Sequence, residues 1–332
     1  MSAKYIPLID YLKAFAILMV TTTHFFTYDE KDFFLFTYVI QMGMPVFMLL
    51  LAFNSAMSND RHGRNTLGAL YSPGVMLRSF KAILPSYTLM FLLEALGRGA
   101  FGDGLSLWQW VYAFVTGGLY KGSHGGYFFA IYWQYLLVAP LIYVLMRRWP
   151  RATLVGALLT NMVYEFLVGA WDIPRLVNRL LFVRYLFIAV SGQFLYFHRR
   201  SLRLGWVLVG MAFSLAYITA IDFFDFWWPL NYYWRNTCVY ASFYYIGLVA
   251  LAFRFFEEKR LPGRLHEVAS TLGRSTWHIY LTQMLYFRLG FAIDALPLWP
   301  RVAVGLVICS AVGVAWHYAE RSVTQAWRKK RA

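Results

Sequence analysis

Only two cysteines, Cys238 and Cys309, occur in 332 residues, and both lie inside apolar runs. That excludes a disulfide framework and a thiolate metal site and leaves them as small buried hydrophobes. The chain has no HExxH, no paired CxxC and no carboxylate cluster at ligand spacing, so no metal is expected. Glycine loops that cradle phosphates are missing, as is the GxSxG elbow of serine-based acyl transfer. There is no internal repeat, no low-complexity tract and no linker long enough to tether a soluble domain, so residues 1–332 read as one domain. Acidic residues are scarce, 16 against 31 Lys and Arg, for a formal charge of +15. Without a soluble basic domain to carry that charge, no nucleic-acid partner is expected.

What the chain has in abundance is apolar surface. It is 60% hydrophobic and 20% aromatic, with a positive mean hydropathy, outside the range of an ordinary soluble domain. It reads as an all-α, polytopic integral membrane protein in contact with membrane lipids. The first apolar run, about Tyr5 to Thr27, exceeds a signal-peptide core and is followed by no small-residue cleavage site, which predicts a retained spanning helix. Runs of spanning length fall at roughly 5–27, 34–57, 75–96, 126–146, 152–170, 180–197, 204–221, 237–256, 275–293 and 300–319, about ten transmembrane helices.

With a cytoplasmic N-terminus, the inside segments are 58–74, 147–151, 198–203, 257–274 and the tail 320–332, which ends WRKKRA. They carry most of the basic residues, as the positive-inside rule requires, and both termini are then cytoplasmic. The net charge is thus mostly an orientation signal. Counting the aromatic run 105–120, LSLWQWVYAFVTGGLY, as a span would invert every later loop against that rule, so it is placed on the outer face, re-entrant or interfacial. The outer segments WDIPR and DFFDFWWPLNYYW are rich in Trp and Tyr; interfacial anchoring and a platform for stacking sugar rings are the two readings.

Within the first span, KAFAILMVTTTH keeps a lysine and a histidine where a charge at the bilayer centre costs about 3 kcal/mol or more. Eleven residues separate Lys13 from His24, about three turns, so both project from one face about 16 Å apart. Asp10 lies near that face and at i, i+3 from Lys13 can pair with it, but it is about 21 Å from His24. The third span opens with PGVMLRSFKAILPSY, placing Arg78 and Lys81 at the same depth as Asp10 and Lys13. Three cations and one carboxylate at that level form a net-positive pocket suited to a polyphosphate entering from the cytoplasm; snorkelling and structural pairing is the alternative. A basic cup inside and an imidazole outside suit a long ligand held by its phosphates and reacting at its tip, with His24 as general base; a transporter or flippase of a lipid-linked or anionic substrate, or a polysaccharide polymerase or ligase, is the alternative.

These residues resemble the integral membrane acyltransferase 3 family, whose first helix reads roughly D-x-L-[RK]-x10-H; here it is IDYLKAFAILMVTTTH, with Asp10, Lys13 and His24 in place. Further likeness comes from MPVFMLLLAF, RSFKAILPSY, LGRSTWHIYLTQ and the closing AERS. The resemblance covers essentially the whole chain. It implies O-acyl transfer, usually of acetyl from cytoplasmic acetyl-coenzyme A, to a sugar hydroxyl of a cell-envelope glycan or its lipid-linked precursor, in the plasma (inner) membrane. It makes His24 the essential histidine, as general base or transient acyl carrier, and assigns Lys13, Arg78 and Lys81 to the coenzyme A phosphates. Three positions depart from the family pattern: Lys81 stands for a commoner arginine, Gln283 for a histidine found in many relatives, and Leu51, Ala52 and Phe53 surround a missing Ser-Gly.

Beside that framework, Glu94 and Glu165 are the span carboxylates at the depth of His24, and Glu94 is the preferred group to orient the imidazole. Trp277, beside His278 at the phosphate level, offers a surface for adenine stacking. His124, among glycines in KGSHGGYFF, is a candidate for acceptor contact. Arg175, Arg179 and Arg184 could hold an anionic acceptor or lipid headgroups.

Overall fold

With no water in the bilayer core to take up backbone N–H and C=O groups, an apolar chain of this kind must satisfy them within helices. The computed structural model describes residues 5–26, 29–31, 34–100, 104–118, 125–224, 226, 238–291 and 296–329, and among these there are α-helices and 3-10 turns but no strand. The helices are α1 (Pro7–Thr23), α2 (Phe34–Tyr38), α3 (Gly43–Arg61), α4 (Leu67–Leu70), α5 (Pro73–Lys81), α6 (Leu84–Gly97), α7 (Leu107–Thr116) and α8 (Tyr127–Arg148). They continue as α9 (Pro150–Ala170), α10 (Arg175–Leu180), α11 (Leu186–His198), α12 (Leu204–Phe224), α13 (Val239–Phe256), α14 (Gly263–Arg274), α15 (Thr276–Arg288) and α16 (Leu298–Lys329).

The expected ten spans are not all single long helices. Among the described residues, six helices are long and apolar enough to cross a membrane: Leu35–Arg61, Tyr127–Arg148, Pro150–Ala170, Leu204–Phe224, Val239–Phe256 and Leu298–Trp327. A seventh arises if Leu67–Lys81 and Leu84–Gly97, bent by 42°, count as one. The run expected at 75–96 is therefore broken. Pro85 has no N–H to give the Lys81 carbonyl and its ring would crowd that turn, so the helix stops and restarts across Ala82 and Ile83.

The expected spans 5–27, 180–197 and 275–293 are represented by α1, α11 and α15, of 17, 13 and 13 residues. A 13-residue helix is about 20 Å long, short of the hydrocarbon thickness of about 30 Å. α15 continues from α14 through Ser275, and α11 from the 3-10 turn Phe182–Tyr185. These short helices are also the most enclosed, with ten of the α15 residues and eight of the α11 residues buried. By contrast α9, α12 and α16 display Leu159, Val163, Phe166, Trp206, Phe213, Val307 and Val312 on the outside, as expected of helices whose solvent is lipid.

Small residues bring the inner helices together, because between helices in lipid close packing replaces the hydrophobic effect as the driving force. At Gly43 a Cβ would lie 2.8 Å from the Val20 nitrogen and 2.9 Å from the Ala16 oxygen, so α3 begins in backbone contact with α1. At Gly273 a Cβ would collide with the Asp10 backbone oxygen, which seats the end of α14 on the start of α1. Polar contacts then gather one set of helix ends. Arg147 of α8 reaches Asp60 of α3 at 3.3 Å, Tyr196 of α11 donates to Asp60 at 2.7 Å, and Arg199 meets Glu257 at 2.7 Å. The Tyr11 hydroxyl, on the first turns of α1, meets His266 at 2.5 Å and accepts from the Leu261 N–H. This basic face of the bundle therefore holds the start of α1 and the ends of α3, α8, α11 and α13.

Candidate functional site

The sequence VTTTH solves a local problem first. Thr21, Thr22 and Thr23 return their hydroxyls to the carbonyls of Ile17, Leu18 and Met19 at 2.9, 2.8 and 2.9 Å, so three polar side chains end an apolar helix without outside partners. His24 follows as the C-cap of α1, its backbone still near helical at φ −81° and ψ −12°. Its ring lies 5.5 Å from the Phe287 ring of α15. The next carbonyl, of Phe25, accepts from Arg301 Nη2 of α16 at 3.0 Å. The imidazole thus sits where α1, α15 and α16 meet, at the end of α1 remote from the basic face.

Two contacts fix how α1 and α15 run. Asp10 lies against Gly273 and His24 against Phe287, fourteen residues further along each chain, so the two segments are parallel and nearly in register. Lys13 then lies at about the level of Thr276 and Trp277, and Gln283 at about the level of Val20, roughly 6 Å short of His24. Lys13 is half-buried, and among the described residues it has no hydrogen bond or ion pair. Asp10 makes no direct ion pair with Lys13 and acts on it only through space: it is buried beneath Gly273 and accepts from the Tyr5 hydroxyl.

Arg78 and Lys81 are exposed on the last turn of α5. They were expected inside the third span, but the break before Pro85 leaves them on a separate amphipathic helix. Just beyond the break, Ser86 donates to Glu320 Oε2 of α16 at 2.7 Å, and His278 Nε2 meets the same oxygen at 2.7 Å. His317 stands 5.1 Å from His278, ring to ring. Trp277 is half-buried, with its ring 6.0 Å from Tyr280 and nearly parallel to it, and with the Phe129 edge at 5.4 Å. Tyr280 therefore occupies one of its two faces.

Glu94 is fully buried, but it does not orient His24. Its Oε2 accepts from Arg288 Nη1 at 2.6 Å, and Oε1 faces Arg98 at 3.8 Å. A carboxylate with no access to water needs a cation, and Arg288, next in sequence to Phe287, supplies it. Arg288 Nη2 also donates to the Gly117 carbonyl at 2.5 Å, at the left-handed C-cap of α7 where φ is +82°. Glu165 is engaged elsewhere, accepting from the Val239 N–H at 2.7 Å. Neither carboxylate is placed on the imidazole.

The α15 helix carries buried polar atoms without partners among the described residues: Trp277 Nε1, His278 Nδ1, Thr282 Oγ1 and both amide atoms of Gln283. In most interiors such groups are paired, so their concentration on the helix that faces α1 marks a polar site in an apolar bundle. Of the remote arginines, Arg175 is exposed on α10, Arg179 lies over the Tyr127 ring at 5.2 Å, and Arg184 is buried over Tyr185 at 5.0 Å. These three do not present one continuous cationic surface. His124 lies outside the described residues. Around the departing second-helix motif, Phe53 stacks on Phe253 at 4.7 Å, which makes that stretch core packing.

A family model described as an acyltransferase domain, that of acyltransferase 3, matches residues 6–319. The chain belongs to the acyltransferase 3 family. It is therefore a multi-pass membrane acyltransferase, all-helical throughout its described residues. No curated protein and no solved structure matches it. Sequence spacing singles out His24, Lys13, Arg78 and Lys81 but not Arg288 or the His278–Glu320–Ser86 cluster. Their partners are separated by 194, 42 and 234 residues, so spacing carried no signal; the acid in AERS marked Glu320 without naming what it holds.

Proposed function

We propose that this membrane acyltransferase moves acetyl, or another small acyl group, from cytoplasmic acyl-coenzyme A to a hydroxyl of an envelope glycan or its lipid-linked precursor. The membrane is the plasma (inner) membrane, crossed about ten times by helices and by broken or stacked helix pairs, with both termini cytoplasmic. The observation that carries this reading is the pairing of α1 with α15. One helix bears Lys13 near the basic face and His24 at the far end, about 16 Å along, and the helix beside it bears buried polar atoms with no partner among the described residues.

The residues present suit such a donor. Lys13, Arg78 and Lys81 supply cations for its phosphates, two from the exposed turn of α5 and one from the half-buried flank of α1. Asp10 acts on this cup by fixing the start of α1 against Gly273 rather than by touching phosphate. Half-buried Trp277, through its ring and its N–H, serves the adenine or the neighbouring amides. At the far end His24 removes the proton from the acceptor hydroxyl, the oxygen attacks the thioester carbonyl, the C–S bond breaks, and the thiolate recovers the proton from the imidazolium. Arg175, with His124, meets an anionic acceptor. Transient acylation of His24 uses the same parts in a different order.

The test compares acetyl-coenzyme A binding and thiol release by the purified protein in detergent with those of His24→Ala and Arg78→Ala. His24→Ala is expected to bind the thioester and to lose about 10²- to 10⁴-fold in turnover, while Arg78→Ala binds it more weakly. Absence of both binding and turnover in folded wild-type protein overturns the reading.

A further inference from the structure

Gln283 is 1% exposed, and among the described residues neither its Nε2 nor its Oε1 has a hydrogen-bond partner. A buried, unpaired primary amide is destabilising, and α15 could avoid that cost with any apolar residue of similar size. Another buried amide, Gln193 of α11, at least donates to the Ala139 carbonyl. Gln283 stands one turn before Phe287, on the same face of α15, and Phe287 is the side chain in contact with the His24 ring. By the register of α1 and α15, the amide lies about 6 Å from the level of the imidazole, on the side from which a donor passing Lys13 would arrive. Gly313 packs directly on the Ile279 backbone one turn earlier, at 2.5 Å from a Cβ built there to the Ile279 Cα, closing that side with α16.

We infer that Gln283 is a catalytic residue whose side-chain N–H hydrogen-bonds the acyl carbonyl oxygen of the donor as charge develops on it. The inference rests on the acyl-donor reading above. When the acceptor oxygen, its proton taken by His24, bonds to the carbonyl carbon, the C=O electron pair moves to the carbonyl oxygen, and the amide N–H stabilises it there. When the pair returns, the C–S bond breaks and the thiolate takes the proton from His24. An amide suits this place because it remains neutral, so it adds no charge to an apolar interior while the donor is absent. A preorganised donor aimed at such an oxygen contributes about 10²- to 10³-fold in rate.

The experiment measures thiol release from acetyl-coenzyme A by purified wild type, Gln283→Met and Gln283→Asn in detergent with a lipid-glycan extract as acceptor, together with thermal unfolding. Gln283→Met removes an unsatisfied amide and keeps the volume, so its Tm is expected to stay or rise while kcat falls about 100-fold and KM for the thioester changes little. Gln283→Asn, a shorter amide, recovers part of the rate. The carbonyl stretch of bound 13C-labelled acetyl-coenzyme A should lie at a lower frequency in wild type than in Gln283→Met. Wild-type turnover with an unchanged kcat in Gln283→Met overturns the role of Gln283 alone. Parallel loss of Tm and rate without the infrared difference makes the residue structural and also overturns it. Failure of wild type to bind or cleave the thioester overturns the donor reading and this inference together.

Discussion

Arg288 and Glu94 form a buried ion pair, Nη1 to Oε2 at 2.6 Å, with neither side chain exposed. The pair joins the end of α15 to α6, and through the Gly117 carbonyl it also holds the end of α7. Since Phe287 precedes Arg288, this clamp fixes the ring that packs on His24. The acid expected to orient the imidazole therefore acts at one remove, by setting where α15 stops.

Breaking one side of that pair should be costly. Glu94→Ala leaves a guanidinium in an apolar interior and is expected to destabilise the fold by about 3–5 kcal/mol. Replacing both groups, as Glu94→Leu with Arg288→Met, should restore most of the loss. Thermal unfolding in detergent reads both; a double variant no more stable than Glu94→Ala would mean that the Gly117 contact, not the ion pair, is what counts.

Arg78 and Lys81 are exposed, so their attraction for a polyanion should be screened by salt. The KM for acetyl-coenzyme A is expected to rise with ionic strength in wild type and to respond much less in the Arg78→Ala, Lys81→Ala double variant. Turnover at saturation should be unchanged in both. A KM in the double variant as low and as salt-sensitive as in wild type would remove these two residues from the binding site.

Gly273 sets the register of α15 against α1 through contact with the Asp10 backbone. Gly273→Ala forces a methyl group into that oxygen, and overpacking of this kind costs about 1–3 kcal/mol. The displacement should propagate to the far end, so kcat is expected to fall with Tm. Gly156→Ala, at an open position on α9, serves as the control and should change neither.

Much of this molecule was legible in one dimension because lipid imposes a one-dimensional rule: every spanning segment must be apolar and helical. Composition thus determined the class, basic loops predicted one charged face, and the motif D-x-L-K-x10-H gave the family and placed Lys13 and His24 three turns apart. Those are local properties of helices, readable at a fixed rise and twist per residue. The break at Ala82 was also written, in Pro85, although the apolar run across it reads as continuous.

Tertiary structure alone decided the partners. Asp10 turned to Tyr5 rather than Lys13, Glu94 to Arg288 rather than His24, and His278 to Glu320 and through it to Ser86. Buried charges and hydroxyls are satisfied by whichever complementary group the packing brings within about 3 Å, and glycine contacts at Gly43 and Gly273 determine that packing. The same register left Gln283 one turn short of the imidazole and, among the described residues, with no hydrogen-bond partner, a fact that no spacing in the sequence contains.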